Sequence, residues 1–198
     1  MSLRLAQQVP DTEAEGPGKR FAFWVQGCTL HCEGCCNPEM FAHGKGGAVI
    51  DPAELARQIL ATPGIEGISV LGGEPFEQAA GVAQVARLVR TGGLSVMVYS
   101  GFTLAELQAR ASLPGVQALL KQVDLLVDGR YVAGSPEKQR RWLGSTNQMM
   151  HFLTPRYTPD DPRFHTSNTV ELRLENGQLT INGWPAAADA LRKNRSPP

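Results

Sequence analysis

All four cysteines of this chain lie within a single stretch of nine residues, from Cys28 to Cys36. No cysteine remains elsewhere to close a long-range disulfide, so a secreted disulfide framework explains the sequence poorly. Cys28, Cys32 and Cys35 have the spacing Cys-x3-Cys-x2-Cys, which is short enough for three thiolates to converge on one metal group. The pattern indicates a metal-binding loop around which the rest of the chain has to fold.

Three thiolates suit a 4Fe-4S cluster in a particular way, because such a cluster has four irons. One iron is then available to an outside ligand, as in catalytic zinc sites that keep an open position, and the amine and carboxylate of an amino acid could chelate it. A structural zinc site completed by Cys36, His31 or His43 is the competing interpretation. Zinc ligands usually form two separated pairs, unlike this evenly packed set. For Cys36 we favour a small buried side chain over a fourth ligand.

The composition narrows the class of protein further. With 198 residues and 42% hydrophobic content, the chain suits one globular domain with a core of its own. Lys plus Arg and Asp plus Glu both count 19, and no basic stripe stands out, so nucleic acid is not expected as a partner. No stretch approaches the roughly 20 apolar residues of a membrane-spanning helix, and we expect no membrane association and a cytoplasmic location.

Apolar runs alternate with helical patterns over the first two thirds of the chain. Strands are predicted over residues 21–25, 65–71, 94–99 and 123–127, with helices after Asp51, over residues 76–91 and after Thr103. Asp51 is a predicted helix cap, and Thr103 opens a capping box with Glu106. Strands that alternate with helices predict an α/β fold with a mostly parallel sheet, either a partial barrel or an open sheet.

Beyond Gly129 the alternation fades. The last clear pattern is a β-hairpin, with strands over residues 169–174 and 178–181 around Glu175-Asn176-Gly177, whose Asn-Gly pair favours a tight turn. We therefore expect a core over residues 1–150, with a cluster loop over residues 27–40, and a C-terminal extension over residues 151–198 that belongs to the same globule.

Polar residues follow three of the predicted strands directly. Gly72-Gly73-Glu74-Pro75 comes after the strand at 65–71, at the carboxyl edge where parallel sheets bind ligands. Its paired glycines allow close approach of the backbone, and Glu74 offers an acceptor to a cationic amine. Ser100 and Asp128 follow later strands and share that edge, although helix capping or turn formation would explain them equally well.

Several of these motifs together resemble the radical S-adenosylmethionine superfamily. They are Gly16-Pro17-Gly18-Lys19-Arg20, the segment from Gly27 to Pro38, Gly72-Gly73-Glu74-Pro75 and Val127-Asp128-Gly129. Within the superfamily the sequence is most similar to the activating enzymes of glycyl radical enzymes. Further motifs look like the activases of anaerobic ribonucleotide reductases, and they are Gly34, Tyr99-Ser100-Gly101-Phe102-Thr103, residues 124–129 and Gly144-Ser145-Thr146-Asn147-Gln148. The likeness runs from about residue 16 to residue 148.

The resemblance implies a partial (β/α) barrel in which Cys28, Cys32 and Cys35 hold a 4Fe-4S cluster. It implies S-adenosylmethionine as the second cofactor, which would be cleaved by an electron from the reduced cluster to give a 5′-deoxyadenosyl radical. Further cofactor contacts are implied at the backbone of Gly34, Cys36 and Asn37, at Gly72, Gly73, Glu74 and Pro75 for the methionine amine, and at Ser100 and Asp128 for the polar parts.

The resemblance also implies partners. One is a protein substrate that receives a glycyl radical, and the other is an electron donor such as flavodoxin or ferredoxin, for which Lys138, Arg140 and Arg141 are either a docking surface or a solvated face. Two alternatives remain open, namely radical modification of a peptide or small molecule and a non-catalytic iron–sulfur or zinc module. Cys36 stands where those activases tend to carry an aromatic residue, which leaves the protein substrate open.

The three tryptophans of the chain have a plain interpretation. Trp24, Trp142 and Trp184 could stack on adenine, but packing in the core is the interpretation that we favour.

Overall fold

A seven-stranded sheet organises the protein in a computed structural model that describes residues 2–175 and 177–185. Its strand order is β3-β1-β2-β4-β5-β6-β7. The strands are β1 (Leu3–Thr12), β2 (Arg20–Val25), β3 (Ala48–Ile50), β4 (Gly67–Gly72), β5 (Ser95–Tyr99), β6 (Leu125–Asp128) and β7 (Met149–Phe152). A separate hairpin is formed by β8 (Val170–Glu175) and β9 (Gln178–Gly183).

The four central strands, β2, β4, β5 and β6, run parallel to one another. Helices occupy the connections that parallel strands require. They are α1 (Pro52–Leu60), α2 (Ala79–Thr91), α3 (Leu104–Ala109) and α4 (Val116–Leu120), with short 3-10 helices at Pro38–Met40, Pro75–Gln78 and Pro162–His165. As the sequence predicts, the Asp51 carboxylate accepts from the amides of Ala53 and Glu54 at the start of α1, and Thr103 and Glu106 form a capping box.

Alternate side chains of β2 separate the core into two layers. Phe21, Phe23 and Val25 pack with the helices, whereas Ala22 and Trp24 face the other side of the sheet. All six residues of β2 are buried, as expected for a strand that lies inside a sheet covered on both faces. The sheet is therefore anchored at the strand from which the cysteine loop emerges.

The predicted α/β class, the parallel centre of the sheet and the C-terminal hairpin are confirmed. Within the described residues the sheet is open and does not close into a barrel, because its two edge strands, β3 and β7, do not pair with each other. The division at residue 150 stays a prediction. Asn176 of the predicted turn and residues 186–198 of the predicted extension lie outside the described residues.

The strands β1, β3 and β7 are not predicted from the sequence. The pairing of β1 with β2 shifts register between Leu5 and Gln7 and again between Val9 and Thr12, so its buried residues do not alternate regularly. Such irregularities remove the period-two pattern by which a strand is recognised. In β7, Met149 is exposed and the remaining three residues are only partly buried.

The parallel strands all end at one edge of the sheet. The cluster loop follows β2, Gly73-Glu74 follows β4, Ser100-Gly101 follows β5 and Gly129 follows β6. This edge is where ligands bind in open parallel sheets. Among the helices of the described ranges, none combines the length and the apolar character needed to cross a bilayer.

Candidate metal centre

A cavity at this edge of the sheet brings most of the predicted site residues together. Its lining contains Cys28, Cys32, Cys35, Cys36, Asn37, Gly72, Gly73, Glu74 and Ser100. Gly34, Pro75 and Asp128 do not line it, although Gly129 does. Residues that are far apart in sequence therefore meet in one place, with the four thiols on one side and the ends of β4 and β5 on another.

Cys28 is the most buried of the thiols. Burial raises the pKa of the Cys28 thiol, although the backbone amides of Leu30 and His31 donate to its sulfur and oppose this effect. The amide of Asn37 donates to the Cys35 sulfur at 3.5 Å. Hydrogen bonds of this kind stabilise sulfur that carries negative charge, as it does in a metal thiolate. Because the Cys28 thiol holds its proton more firmly, metal binding there releases a proton.

The thiols around the cavity form a sulfur donor set. Cys28, Cys32, Cys35 and Cys36 all line the cavity, and the backbone amides that donate to Cys28 and Cys35 favour sulfur that carries negative charge. Thiolate sulfur is the ligand that binds iron–sulfur clusters in proteins. The donor set around the cavity therefore fits a 4Fe-4S cluster.

Two backbone hydrogen bonds join the cluster loop to the turn after β4. The Gly73 amide donates to the Val25 carbonyl at 2.8 Å, and the Glu74 amide donates to the Gly27 carbonyl at 2.8 Å. A Cβ atom on Gly73 would lie 2.1 Å from the Gly27 oxygen, and one on Gly72, which has φ +109°, would lie 2.5 Å from the backbone of Val25. The paired glycines thus allow contact with the chain's own loop.

Glu77 fixes the same loop from the other side. Its carboxylate accepts from the amide of Thr29 at 3.0 Å and from the Thr29 hydroxyl, and it pairs with His43 Nε2 at 3.2 Å. Thr29 lies next to Cys28, so the first cysteine is held between β2 and the 3-10 helix Pro75–Gln78. Gly34, with φ +69°, supplies a left-handed turn before the third cysteine, and its Cβ would lie 2.6 Å from Ala133 Cβ.

Glu74 is 1% exposed and links two strand ends. Its carboxylate accepts from the Phe76 amide at 2.9 Å, the Ser100 hydroxyl at 3.0 Å and the Gly101 amide at 2.8 Å. Burial raises the pKa of Glu74 to about 7 in spite of these hydrogen bonds. The carboxylate therefore fixes the turn after β4 to the turn after β5, and its contact with a cofactor amine stays a prediction.

Asp128 makes two contacts within the protein. Its carboxylate accepts from the Leu104 amide at 2.6 Å, at the start of α3, and lies 2.9 Å from His151 Nε2. These contacts match the capping alternative for this residue. Ser100 also has a local role, because its hydroxyl accepts from the Phe102 amide at 3.0 Å.

The opposite wall of the cavity comes from residues that the sequence analysis did not assign to the site. They are Tyr131, Trp142, Gln148, Asn168, Ile181, Asn182, Gly183, Trp184 and Pro185. Trp24 and Trp142 are buried, as core packing predicts, yet both line the cavity. Apart from Gln148, which belongs to one of the motifs that carry the resemblance, no local motif marks these positions, since they reach the cysteine loop only through the folding of distant segments.

Comparisons with known proteins agree with this geometry. A family model described as a 4Fe-4S single cluster domain matches residues 14–151. A protein of Vibrio cholerae is 31% identical over 157 residues, which cover 75% of this chain and 97% of the relative. A relative from Escherichia coli K12 is 28% identical over 74% of this chain and 97% of its own length, and one from bacteriophage T4 is 28% identical over 68% and 85%. All three are named anaerobic ribonucleoside-triphosphate reductase-activating proteins.

A 4Fe-4S domain that contains the three-cysteine loop, on a sheet with its parallel ends at one cavity, defines an enzyme of the radical S-adenosylmethionine class. Its cofactors are a 4Fe-4S cluster and S-adenosylmethionine, which sets aside the zinc and electron-carrier alternatives. The chain belongs to the family of anaerobic ribonucleoside-triphosphate reductase-activating proteins. The resemblance inferred from the motifs is thereby confirmed.

Proposed function

We propose that this protein installs a glycyl radical on an anaerobic ribonucleoside-triphosphate reductase. The proposal depends on one observation. The Glu74 amide donates a hydrogen bond to the Gly27 carbonyl, so the turn after β4 is held against the cluster loop at a cavity lined by the cysteines. The names of the relatives support the choice of partner. An open sheet with its parallel strand ends at the cavity is also the arrangement from which the partial barrel of this enzyme class would be built.

Cys28, Cys32 and Cys35 are the proposed cluster ligands, and Cys36 is not one of them. When bound, the reduced cluster would supply an electron and S-adenosylmethionine would supply the 5′-deoxyadenosyl group for radical chemistry on the substrate. The amides of Leu30, His31 and Asn37 stabilise the charged sulfur ligands by donating to Cys28 and Cys35.

The chain's other residues position the second cofactor. In this proposal, backbone of Gly72, Gly73 and Pro75 receives the methionine amine, because the turn is held against the cluster loop. Glu74 and Ser100 keep that turn in place through their mutual hydrogen bond. The backbone near Gly34, Cys36 and Asn37 and the carboxylate of Asp128 are further proposed contacts, of which Cys36 and Asn37 line the cavity.

An electron donor of the flavodoxin or ferredoxin type and a cytoplasmic location complete the proposal. Of the three basic residues considered for docking, Arg140 pairs with Glu137 at 2.6 Å and donates to the carbonyls of Thr146 and Gln148. Arg141 donates to Thr166 Oγ1 at 2.7 Å and lies over the Trp142 ring. These contacts give both arginines a role within the fold. Docking of an electron donor would therefore use only the positive charge that the two side chains expose to solvent.

The test is anaerobic reconstitution with iron and sulfide, followed by chemical reduction in the presence of S-adenosylmethionine. The wild-type protein should form 5′-deoxyadenosine and methionine, whereas Cys32→Ala should form neither. Incubation with the anaerobic ribonucleoside-triphosphate reductase of the same organism should then give a glycyl radical signal in electron paramagnetic resonance. A fully loaded cluster without 5′-deoxyadenosine would contradict the enzyme class. Cleavage without a glycyl signal would contradict the choice of partner and favour modification of another peptide or of a small molecule.

A further inference from the structure

The C-terminal hairpin forms a wall of the cluster cavity. We use the name hairpin wall for residues 170–175 and 177–185. Its last residues, Ile181 to Pro185, line the same cavity as the cysteines. Three hydrogen bonds attach it to the end of β1 and the residues that follow, from Asn182 Nδ2 to Thr12 Oγ1 at 3.0 Å, from the Glu13 amide to Glu171 Oε1 at 2.8 Å and from the Gly183 amide to Glu15 Oε1 at 2.7 Å. The hairpin wall is therefore fixed in place beside the candidate metal centre.

An apolar face of the hairpin wall runs from the cavity out to solvent. Ile181 pairs directly with Leu172 across the two strands, so their side chains share one face. Leu174 lies on that face as well, because side chains two residues apart in a strand point the same way. Ile181 is buried at the cavity, whereas Leu172 is 57% exposed and Leu174 is 73% exposed.

Two buried polar atoms on the cavity lining have no hydrogen-bond partner in the described residues. They are Trp142 Nε1, a donor, and Asn182 Oδ1, an acceptor, on side chains that are 6% and 4% exposed. Burying such a group without a partner costs free energy, so native proteins usually satisfy it. One donor and one acceptor are the complement of a peptide group, which offers a carbonyl and an amide.

The position of the hairpin wall in the sequence indicates which ligand it binds. It favours the partner protein over the cofactor. The matched 4Fe-4S domain ends at residue 151, and the Vibrio cholerae relative covers 97% of its own length with 75% of this chain. Proteins that share a cofactor bind it with the part that they have in common. An added element that reaches the same cavity is better suited to the substrate protein, whose surface differs from one enzyme to another.

We infer that the hairpin wall is the recognition element for the substrate protein. The segment that carries the target glycine crosses Leu172 and Leu174 and enters the cavity, where one of its peptide groups bonds to Asn182 Oδ1 and Trp142 Nε1. The inference rests on the proposed function, because it needs a protein substrate whose backbone reaches the cavity. It assigns partner recognition to the hairpin wall and to Trp142.

The double variant Leu172→Ser/Leu174→Ser tests the apolar face. We expect the concentration of reductase needed for half-maximal glycyl radical formation to rise about tenfold, since loss of a buried apolar anchor has an effect of this order. Formation of 5′-deoxyadenosine without reductase should be retained, because both leucines lie away from the cysteines on the solvent side. Leu60→Ser, which changes a leucine 46% exposed on α1, is the matched control and should leave the reductase concentration unchanged.

Trp142→Phe tests the polar subsite, since it removes the Nε1 donor and keeps most of the ring. It should raise the same half-maximal reductase concentration, with no matching rise in the KM for S-adenosylmethionine. If both variants behave like wild type toward the reductase while cleavage proceeds, the inference is wrong and the proposed function stands. A rise confined to the KM for S-adenosylmethionine would assign the hairpin wall to the cofactor and also overturn the inference. Absence of cleavage in the wild-type protein would instead contradict the proposed function itself.

Discussion

Glu74 shows how one buried carboxylate affects both the site and the stability of the protein. Its carboxylate connects the turn after β4 to the turn after β5, through bonds to Ser100 and Gly101. Because it is buried among neutral groups, it binds a proton more tightly in the folded protein than in the unfolded chain. The geometry of the candidate cofactor site and the pH dependence of folding therefore depend on the same side chain.

The first prediction concerns this pH dependence. The pKa of Glu74 is raised from 4.5 to about 7, so its contribution to stability is complete below pH 4.5 and is lost as the pH rises through 7. Between these limits the free energy of unfolding of the metal-free wild type should fall by about 3 kcal/mol more than that of Glu74→Gln. Urea denaturation of both proteins at pH 5 and pH 8 measures the difference. Equal slopes for the two proteins would show that Glu74 titrates normally.

The second prediction separates the four thiols. Cys28→Ala, Cys32→Ala and Cys35→Ala should each lose the cluster, because the proposed site has no spare ligand. Cys36→Ala should bind as much iron and sulfide as wild type, although Cys36 lines the same cavity. Iron and sulfide analysis after anaerobic reconstitution provides the measurement. If Cys36→Ala also loses the cluster, Cys36 is a fourth protein ligand. No iron would then be open to S-adenosylmethionine.

The residues that sequence reasoning finds and those that it misses differ in how they reach the site. Three thiolates on one cluster need short spacing, so the cysteines form a recognisable local motif. Trp142 and Asn182 carry no such mark. Asn182 lines the cavity because the hairpin wall is hydrogen-bonded to Thr12 at the end of β1, and Trp142 lines it from a separate segment of the chain. Asp128 illustrates the opposite difficulty, because its place after a strand suits a ligand contact and a helix cap alike.

At the scale of elements, the glycine pair after β4 joins two parts of the site. Gly73 and Gly134 both have ordinary backbone angles, but a Cβ on Gly73 would meet the Gly27 carbonyl whereas one on Gly134 would meet nothing within 4 Å. The two positions therefore differ in the space that is available to an added methyl group.

The third prediction compares alanine substitutions at Gly73 and Gly134. Gly73→Ala should destabilise the protein by about 1 to 3 kcal/mol, because the cluster loop has to move away from the turn. Gly134→Ala should change the free energy of unfolding by less than about 0.5 kcal/mol. Thermal denaturation of both variants checks the stabilities, and the iron content after reconstitution should fall only in Gly73→Ala. Similar stabilities for the two variants would mean that the contact between the loops is dispensable.

The central elements could be predicted because their patterns are regular. The strands β2, β4, β5 and β6 are short apolar runs followed by polar turns, and both helix caps have the expected residues. The outer strands could not be predicted with the same rules. In β1 the register shifts break the alternation of buried and exposed residues. In β7 no residue is fully buried, so the strand has no clear apolar pattern. Closure of the sheet, which the partial barrel implied by the resemblance would begin, depends on its edge strands β3 and β7, and neither has a local pattern that predicts its place in the sheet.

At the scale of the whole molecule, the cluster should contribute to stability. The cluster loop contains little regular structure besides the 3-10 helix Pro38–Met40, so three thiolate bonds to one cluster would restrain it strongly. Ligands that bind only the folded state stabilise it by mass action.

The fourth prediction follows from this restraint. Under anaerobic conditions the reconstituted protein should melt several degrees above the metal-free protein, by calorimetry or circular dichroism. Cys36→Ala should keep this difference in Tm and Cys32→Ala should lose it. A cluster-loaded protein with the Tm of the metal-free form would contradict preferential binding of the cluster by the folded state.

The hydrogen bond from Asn182 to Thr12 joins residues that are 170 positions apart in the chain. The wall that Asn182 helps to build consequently leaves the ribosome long after the cysteines do. During synthesis there is an interval in which the thiols are exposed and the wall does not yet exist. The machinery that delivers iron and sulfide would have its widest access to the nascent chain in that interval.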